Sequence, residues 1–119
     1  MTVGRRTLAD YRAMSSLNEQ FADLASTLRA LIGLLDEADA SFWVPYLKRG
    51  LLQVEAHKLA GATFVLGCYG GAETFSDLTI GEQFREAEPL RYRNLNARLN
   101  QLRTDCFEVA NAIAARRHW

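Results

Sequence analysis

Residues 59–80 read LAGATFVLGCYGGAETFSDLTI, and the parsing of this stretch decides the fold. Its first half, Leu59 to Cys68, is apolar on nearly every side, the pattern of a helix buried among other helices. Read backward, the pattern runs through Val54 to Leu51 and predicts a central helix from Leu51 to about Tyr69. Gly61 and Gly67 each weaken a helix by up to about 1 kcal/mol relative to alanine, so their presence predicts close approach of neighbouring helices. Gly70-Gly71 is expected to stop the helix, one of the pair taking the left-handed conformation that follows a helix end. Ala72 to Gly81 is too short and mixed for a regular element, and irregular structure with one helical turn is expected there.

Outward from this stretch the chain is helical. Thr7, with Asp10 three residues on, predicts a short helix to about Met14, and Ser16 with Glu19 repeats the signature more cleanly. Leu17, Phe21, Leu24, Leu28, Leu31 and Leu35 then lie on one face of a helix that reaches about Asp36. Asp36, Glu37 and Asp39 sit at its C-terminal end, where the helix dipole disfavours acids, so stability alone would not choose them. Ser41 is expected to cap a segment whose bulky face is Phe42, Trp43, Tyr46 and Leu47, with Pro45 in its first turn and Gly50 ending or kinking it. Gln83 to Pro89 reads as a connection. Tyr92, Leu95, Leu99, Leu102, Cys106, Val109 and Ile113 alternate threes and fours in a last helix from about Leu90 to Arg116. The expected architecture is a single domain over residues 1–119, an all-α bundle of four to five helices with an irregular Gly-Gly loop before the last long helix.

Composition narrows the function classes. Fourteen basic residues balance fourteen acidic ones, so no global charge draws the chain to nucleic acid or anionic lipid. The longest apolar run is far too short to span a bilayer, and the N-terminal MTVGRRTLADYRAM lacks the apolar core of a secretory signal, so a cytoplasmic location is expected. Cys68 and Cys106 cannot make a framework of bridges and read as small buried hydrophobes, whose thiols burial renders inert. His57 has no metal-ligating partner at helical spacing and His118 stands alone near the end, so neither metal nor cofactor is expected. Glu73 with Asp77 reads as turn and cap chemistry rather than a catalytic pair, and no enzyme is expected. Trp119 at the very end is either a clasp onto the bundle or an exposed contact.

The charge pattern is the informative part. Residues 73–88 hold Glu73, Asp77, Glu82, Glu86 and Glu88 against Arg85 alone, and Arg91, Arg93, Arg98 and Arg103 follow. An acidic loop of this kind suits docking on a basic protein partner, such as a nuclease-like active site, through steering and complementarity. RNA binding by the arginine stripe is the weaker reading, because only Tyr92 is interleaved with it.

Tyr69-Gly70-Gly71-Ala72-Glu73-Thr74-Phe75-Ser76-Asp77-Leu78 resembles a motif of a family of small helical bacterial proteins. In that family a tyrosine and two glycines lead into a Ser-Phe-Asn-Asp-Leu-like segment, with a tryptophan upstream as Trp43 is here. Some members look like immunity proteins of polymorphic toxin systems, which neutralise a cognate toxin. The resemblance implies a non-enzymatic toxin binder, and Asp36, Glu37, Asp39, Glu73, Glu82, Glu86 and Glu88 are the residues expected to meet the toxin. Trp43, Tyr69, Gly70, Gly71, Phe75, Asp77 and Leu78 are expected to be structural, with Phe75 and Leu78 plugging into the bundle and Asp77 capping backbone N–H groups. The alternative is a non-catalytic adaptor that forms a homodimer through the Tyr92–Ile113 seam.

Overall fold

The computed structural model describes residues 16–70 and 74–116, and among them every regular element is helical. Helix α1 spans Leu17–Glu37, α2 Val44–Glu55, α3 Leu59–Gly67 and α4 Pro89–Arg116, with single 3-10 turns at Phe75–Asp77 and Glu82–Phe84. The all-α expectation holds for this part of the chain. The short helix expected over Thr7 to Met14 lies outside the described residues.

Helix α1 begins as its sequence directs. The Ser16 hydroxyl accepts from the Glu19 amide at 3.1 Å, and the Glu19 carboxylate accepts from the Ser16 amide at 2.9 Å, so two otherwise unpaired donors are satisfied. The leucine stripe from Phe21 to Leu35 is fully buried. It packs on α2 and α4, while α3 packs on the other sides of α2 and α4, so the four helices close a ring around one apolar core. The α4 seam expected from sequence supplies Leu95, Leu99, Cys106, Val109 and Ile113 to that core.

The central helix is two helices. Gly50 does not end a helix; α2 runs through it to Glu55, the chain turns at Ala56-His57-Lys58, and α3 starts at Leu59. The physical reason is packing. Gly50 is buried, and a Cβ there would lie 2.9 Å from Val65 Cγ2, while a Cβ on Gly61 would lie 2.9 Å from the Val54 backbone nitrogen. Each glycine thus lets α2 and α3 approach closely, as expected for Gly61. A Cβ on Gly67 would meet nothing within 4 Å, so that glycine plays no such part.

The break between α2 and α3 carries neither glycine nor proline. His57 takes the left-handed conformation (φ 56°), with its amide donating to the Val54 carbonyl at 2.9 Å and the Lys58 amide to the Gln53 carbonyl at 3.0 Å. Its ring stacks on Phe21 at 5.0 Å and one ring nitrogen lies 3.1 Å from Asn18 Oδ1, contacts that hold the exposed histidine in place. Helix α1 ends by the same device, with Asp39 (φ 56°) donating to Asp36 and Ala40 to Leu35.

The Gly-Gly stop also falls elsewhere. Helix α3 ends at Gly67 with Cys68 as its cap, and Gly70 has no left-handed backbone; Gly71 lies outside the described residues. Among the described residues the left-handed glycine is Gly81 (φ 73°), where a Cβ would meet Leu95 Cδ1 at 2.8 Å. Nor does Ser41 provide a side-chain cap for α2, whose buried stripe is Val44, Leu47, Gly50 and Val54 rather than the bulky face at Phe42 and Tyr46.

Candidate protein-docking surface

The Tyr69–Leu78 motif is built inward. Phe75 is fully buried, worth roughly 1.5–3 kcal/mol for a side chain of its size, and Leu78 packs partly buried against the core, both as expected. The Phe75 amide donates to the Cys68 carbonyl at 3.1 Å, which ties the turn to the end of α3. The groups that hold this turn from α4 are two that the sequence reading missed. Arg103 donates to the carbonyls of Phe75 at 2.8 Å and Leu78 at 3.0 Å, and the Asn96 amide exchanges two hydrogen bonds with the Ile80 backbone at 2.8 and 2.9 Å. An arginine facing inward from a charged stretch carries no local signal of that role; only the fold brings residue 103 to residue 75. Asp77 is exposed, and its charge acts on the Arg103 guanidinium.

Tyr69 belongs to the same assembly. Its hydroxyl donates to the Arg103 carbonyl at 2.7 Å, and its ring meets Phe75 at 5.5 Å and Phe107 at 5.1 Å, both edge-on. Burial pushes its phenol well above the ordinary tyrosine value, and pushes the Cys106 thiol up to about 12 and Cys68 upward as well. Thiols held neutral in this way are poor nucleophiles. Among the described residues no three His, Cys, Asp or Glu side chains converge as metal ligands, and no helix is long and apolar enough to cross a membrane.

The acids are arranged differently from the motif. The Gln83 side-chain amide donates to the Ala38 carbonyl at 3.1 Å, so the segment that carries Glu82 is pinned against the acidic end of α1. Two stretches separated by 45 residues therefore meet at one place. Glu37 pairs with Arg98 at 3.0 Å, Glu82 with Arg85 at 3.1 Å and Glu88 with Arg91 at 3.5 Å. All six side chains are about half exposed or more, where such pairs contribute little to stability. Asp36, Asp39 and Glu86 are exposed and make no ion pair among the described residues. Glu73 lies outside those residues.

The arginines of the expected basic stripe are largely engaged within the chain. Arg91 lies 3.7 Å over the Phe84 ring besides pairing with Glu88, Arg98 holds Glu37, and Arg103 turns inward. The α4 seam, the expected dimer face, is likewise buried against this chain's own α1 and α3.

Immediately after the α1 acids come the aromatics. Phe42 is 70% exposed and Tyr46 41%, so the bulky apolar face expected from Phe42, Trp43, Tyr46 and Leu47 is not buried as a unit. Trp43 is half-buried, with its ring 5.7 Å from Phe75. Compared with known protein families, curated proteins and solved structures, the chain matches none.

Proposed function

We propose that this protein is a non-catalytic binder that neutralises a cognate bacterial toxin by covering its functional surface, in the manner of an immunity protein. The observation that carries the reading is the meeting of the two acidic stretches at the C-terminal end of α1. Asp36 and Asp39 stand there without an ion-pair partner among the described residues, at a helix end where acids cost stability. Charge kept where folding disfavours it is charge available to a partner, and a negative surface raises the association rate with a basic one. The residues proposed to meet the toxin are Asp36, Glu37, Asp39, Glu73, Glu82, Glu86 and Glu88. The family resemblance of the Tyr69–Leu78 motif supports the same reading, with that motif serving to seat the loop through Phe75 and Arg103.

The test is co-expression with the product of the adjacent gene, followed by size-exclusion chromatography with mass detection and a growth assay. A stoichiometric complex together with rescue from that product's toxicity supports the proposal. A lone peak with no rescue overturns it.

A further inference from the structure

We propose that Phe42 and Tyr46, with Asp39 three residues before Phe42 and Asp36 one turn further back at the end of α1, anchor a protein-docking surface whose partner presents lysine or arginine side chains set among apolar ones. The inference deepens the reading above and rests on it for the partner's biological role, though not for the partner's chemistry.

The surface starts from a ring assembly that is supported from beneath. Phe42 meets Trp43 edge-on at 5.4 Å and Tyr46 at 5.9 Å, and Trp43 meets Tyr46 at 5.3 Å. Trp43 then touches Phe75, which touches Tyr69, which touches Phe107 on α4. The exposed rings are thus the outer end of an aromatic chain seated in the core. Rings held in place before binding lose little conformational freedom on contact, and aromatic anchors of this type dominate the energetics of protein interfaces. Folding gains little from leaving a phenylalanine 70% exposed beside a tyrosine 41% exposed. The buried stripe of α2 is made by Val44, Leu47, Gly50 and Val54 instead.

Charge selects the occupant. Asp39 is three residues before Phe42, a separation of at most about 11 Å even in extended chain and therefore close to one screening length at physiological salt. Of the cations on α2, Lys48 is two residues past Tyr46, about 200° around the helix from it, and the Arg49 guanidinium is drawn over the Phe64 ring at 5.9 Å. A surface of aromatic rings with exposed carboxylates repels nucleic-acid phosphates and anionic lipid headgroups. It suits a protein surface in which cations surround an apolar centre.

The test pans the whole chain with a random-peptide display library and measures the enriched peptides against wild type, Phe42→Ala, Tyr46→Ala and the Asp36→Asn/Asp39→Asn pair. Circular dichroism and urea unfolding verify each fold; both rings are partly exposed, so native folding is expected. The expected result is enrichment of peptides carrying Lys or Arg beside apolar residues. Their affinity should fall at least about 10-fold with Phe42→Ala, and the salt dependence should weaken in the double Asn variant. No enrichment, enrichment of acidic peptides, or equal binding by Phe42→Ala overturns the proposal, as does a concentration-dependent dimer that Phe42→Ala dissolves. Because the library replaces the toxin, failure of the adjacent-gene pairing leaves this result readable on its own.

Discussion

Replacing Asp39 by glycine should make the protein more stable and a poorer binder. Asp39 closes α1 with φ 56°, donating to the Asp36 carbonyl at 3.1 Å while Ala40 donates to Leu35 at 2.8 Å. A left-handed backbone costs an L-residue roughly 1–2 kcal/mol, and glycine avoids that cost while losing about 0.5–1 kcal/mol more chain entropy on folding. Removing an acid from the negative end of the helix dipole adds about 0.3–1 kcal/mol. The net gain is about 1 kcal/mol, because neither hydrogen bond depends on the side chain. In urea, with a slope of about 1–3 kcal/mol per molar, the midpoint should rise by about 0.5 M with the slope unchanged. Asp39→Asn separates the contributions: asparagine and aspartate accept the left-handed backbone about equally, so only the electrostatic part, about 0.3–1 kcal/mol, should appear. A midpoint that is unchanged or lower in Asp39→Gly would refute the reasoning, since it would mean the aspartate stabilises this turn by a contact that outweighs its backbone and its charge.

Gly33→Ala and Gly61→Ala should move stability in opposite directions. An alanine at Gly33 meets nothing within 4 Å and should stabilise α1 by about 0.5–1 kcal/mol, whereas at Gly61 it presses on the Val54 backbone and should cost about 1–3 kcal/mol, both read by thermal unfolding. Gln20 is fully buried in α1 and neither side-chain amide atom is hydrogen-bonded among the described residues, so Gln20→Leu should stabilise by about 1–3 kcal/mol in urea unfolding, and a loss of stability would show the amide to be satisfied. Cys106 is held at about 12, above its ordinary 9.0, so between those values the folded state keeps a proton that the unfolded state releases. Stability should therefore be fully present below about pH 9 and fall as pH rises toward 12, with Cys68 and Tyr69 acting in the same direction. Urea midpoints measured from about pH 8 to 10 should show a shallower decline in Cys106→Ala.

Much of the fold was legible because α1 and α4 bury continuous stripes, and such stripes are written in the spacing of leucines. The Ser16–Glu19 cap was legible for the same local reason. The middle of the chain misleads because glycine serves two purposes. Gly50 and Gly61 admit a neighbouring helix, while the break itself is made by His57, a residue that carries no helix-stop signal. The same ambiguity hid the surface: Phe42, Trp43, Tyr46 and Leu47 look like one apolar face. The buried face is instead Val44, Leu47, Gly50 and Val54, with Trp43 half-buried and Phe42 and Tyr46 left outside. The acids were legible as stretches but not as a surface, since their meeting depends on the Gln83 contact to Ala38. Arg103 and Asn96 were illegible altogether, because their partners are backbone groups brought to α4 only by the finished fold.

The most direct test of the account is a growth assay in cells that produce the adjacent gene's product together with either wild type or the Asp36→Asn/Asp39→Asn/Phe42→Ala variant. All three residues are exposed, so the variant should fold and accumulate as wild type does. The account predicts that wild type restores growth and that the folded variant does not. Equal rescue by the variant would contradict it, and would place the neutralising surface elsewhere on the bundle.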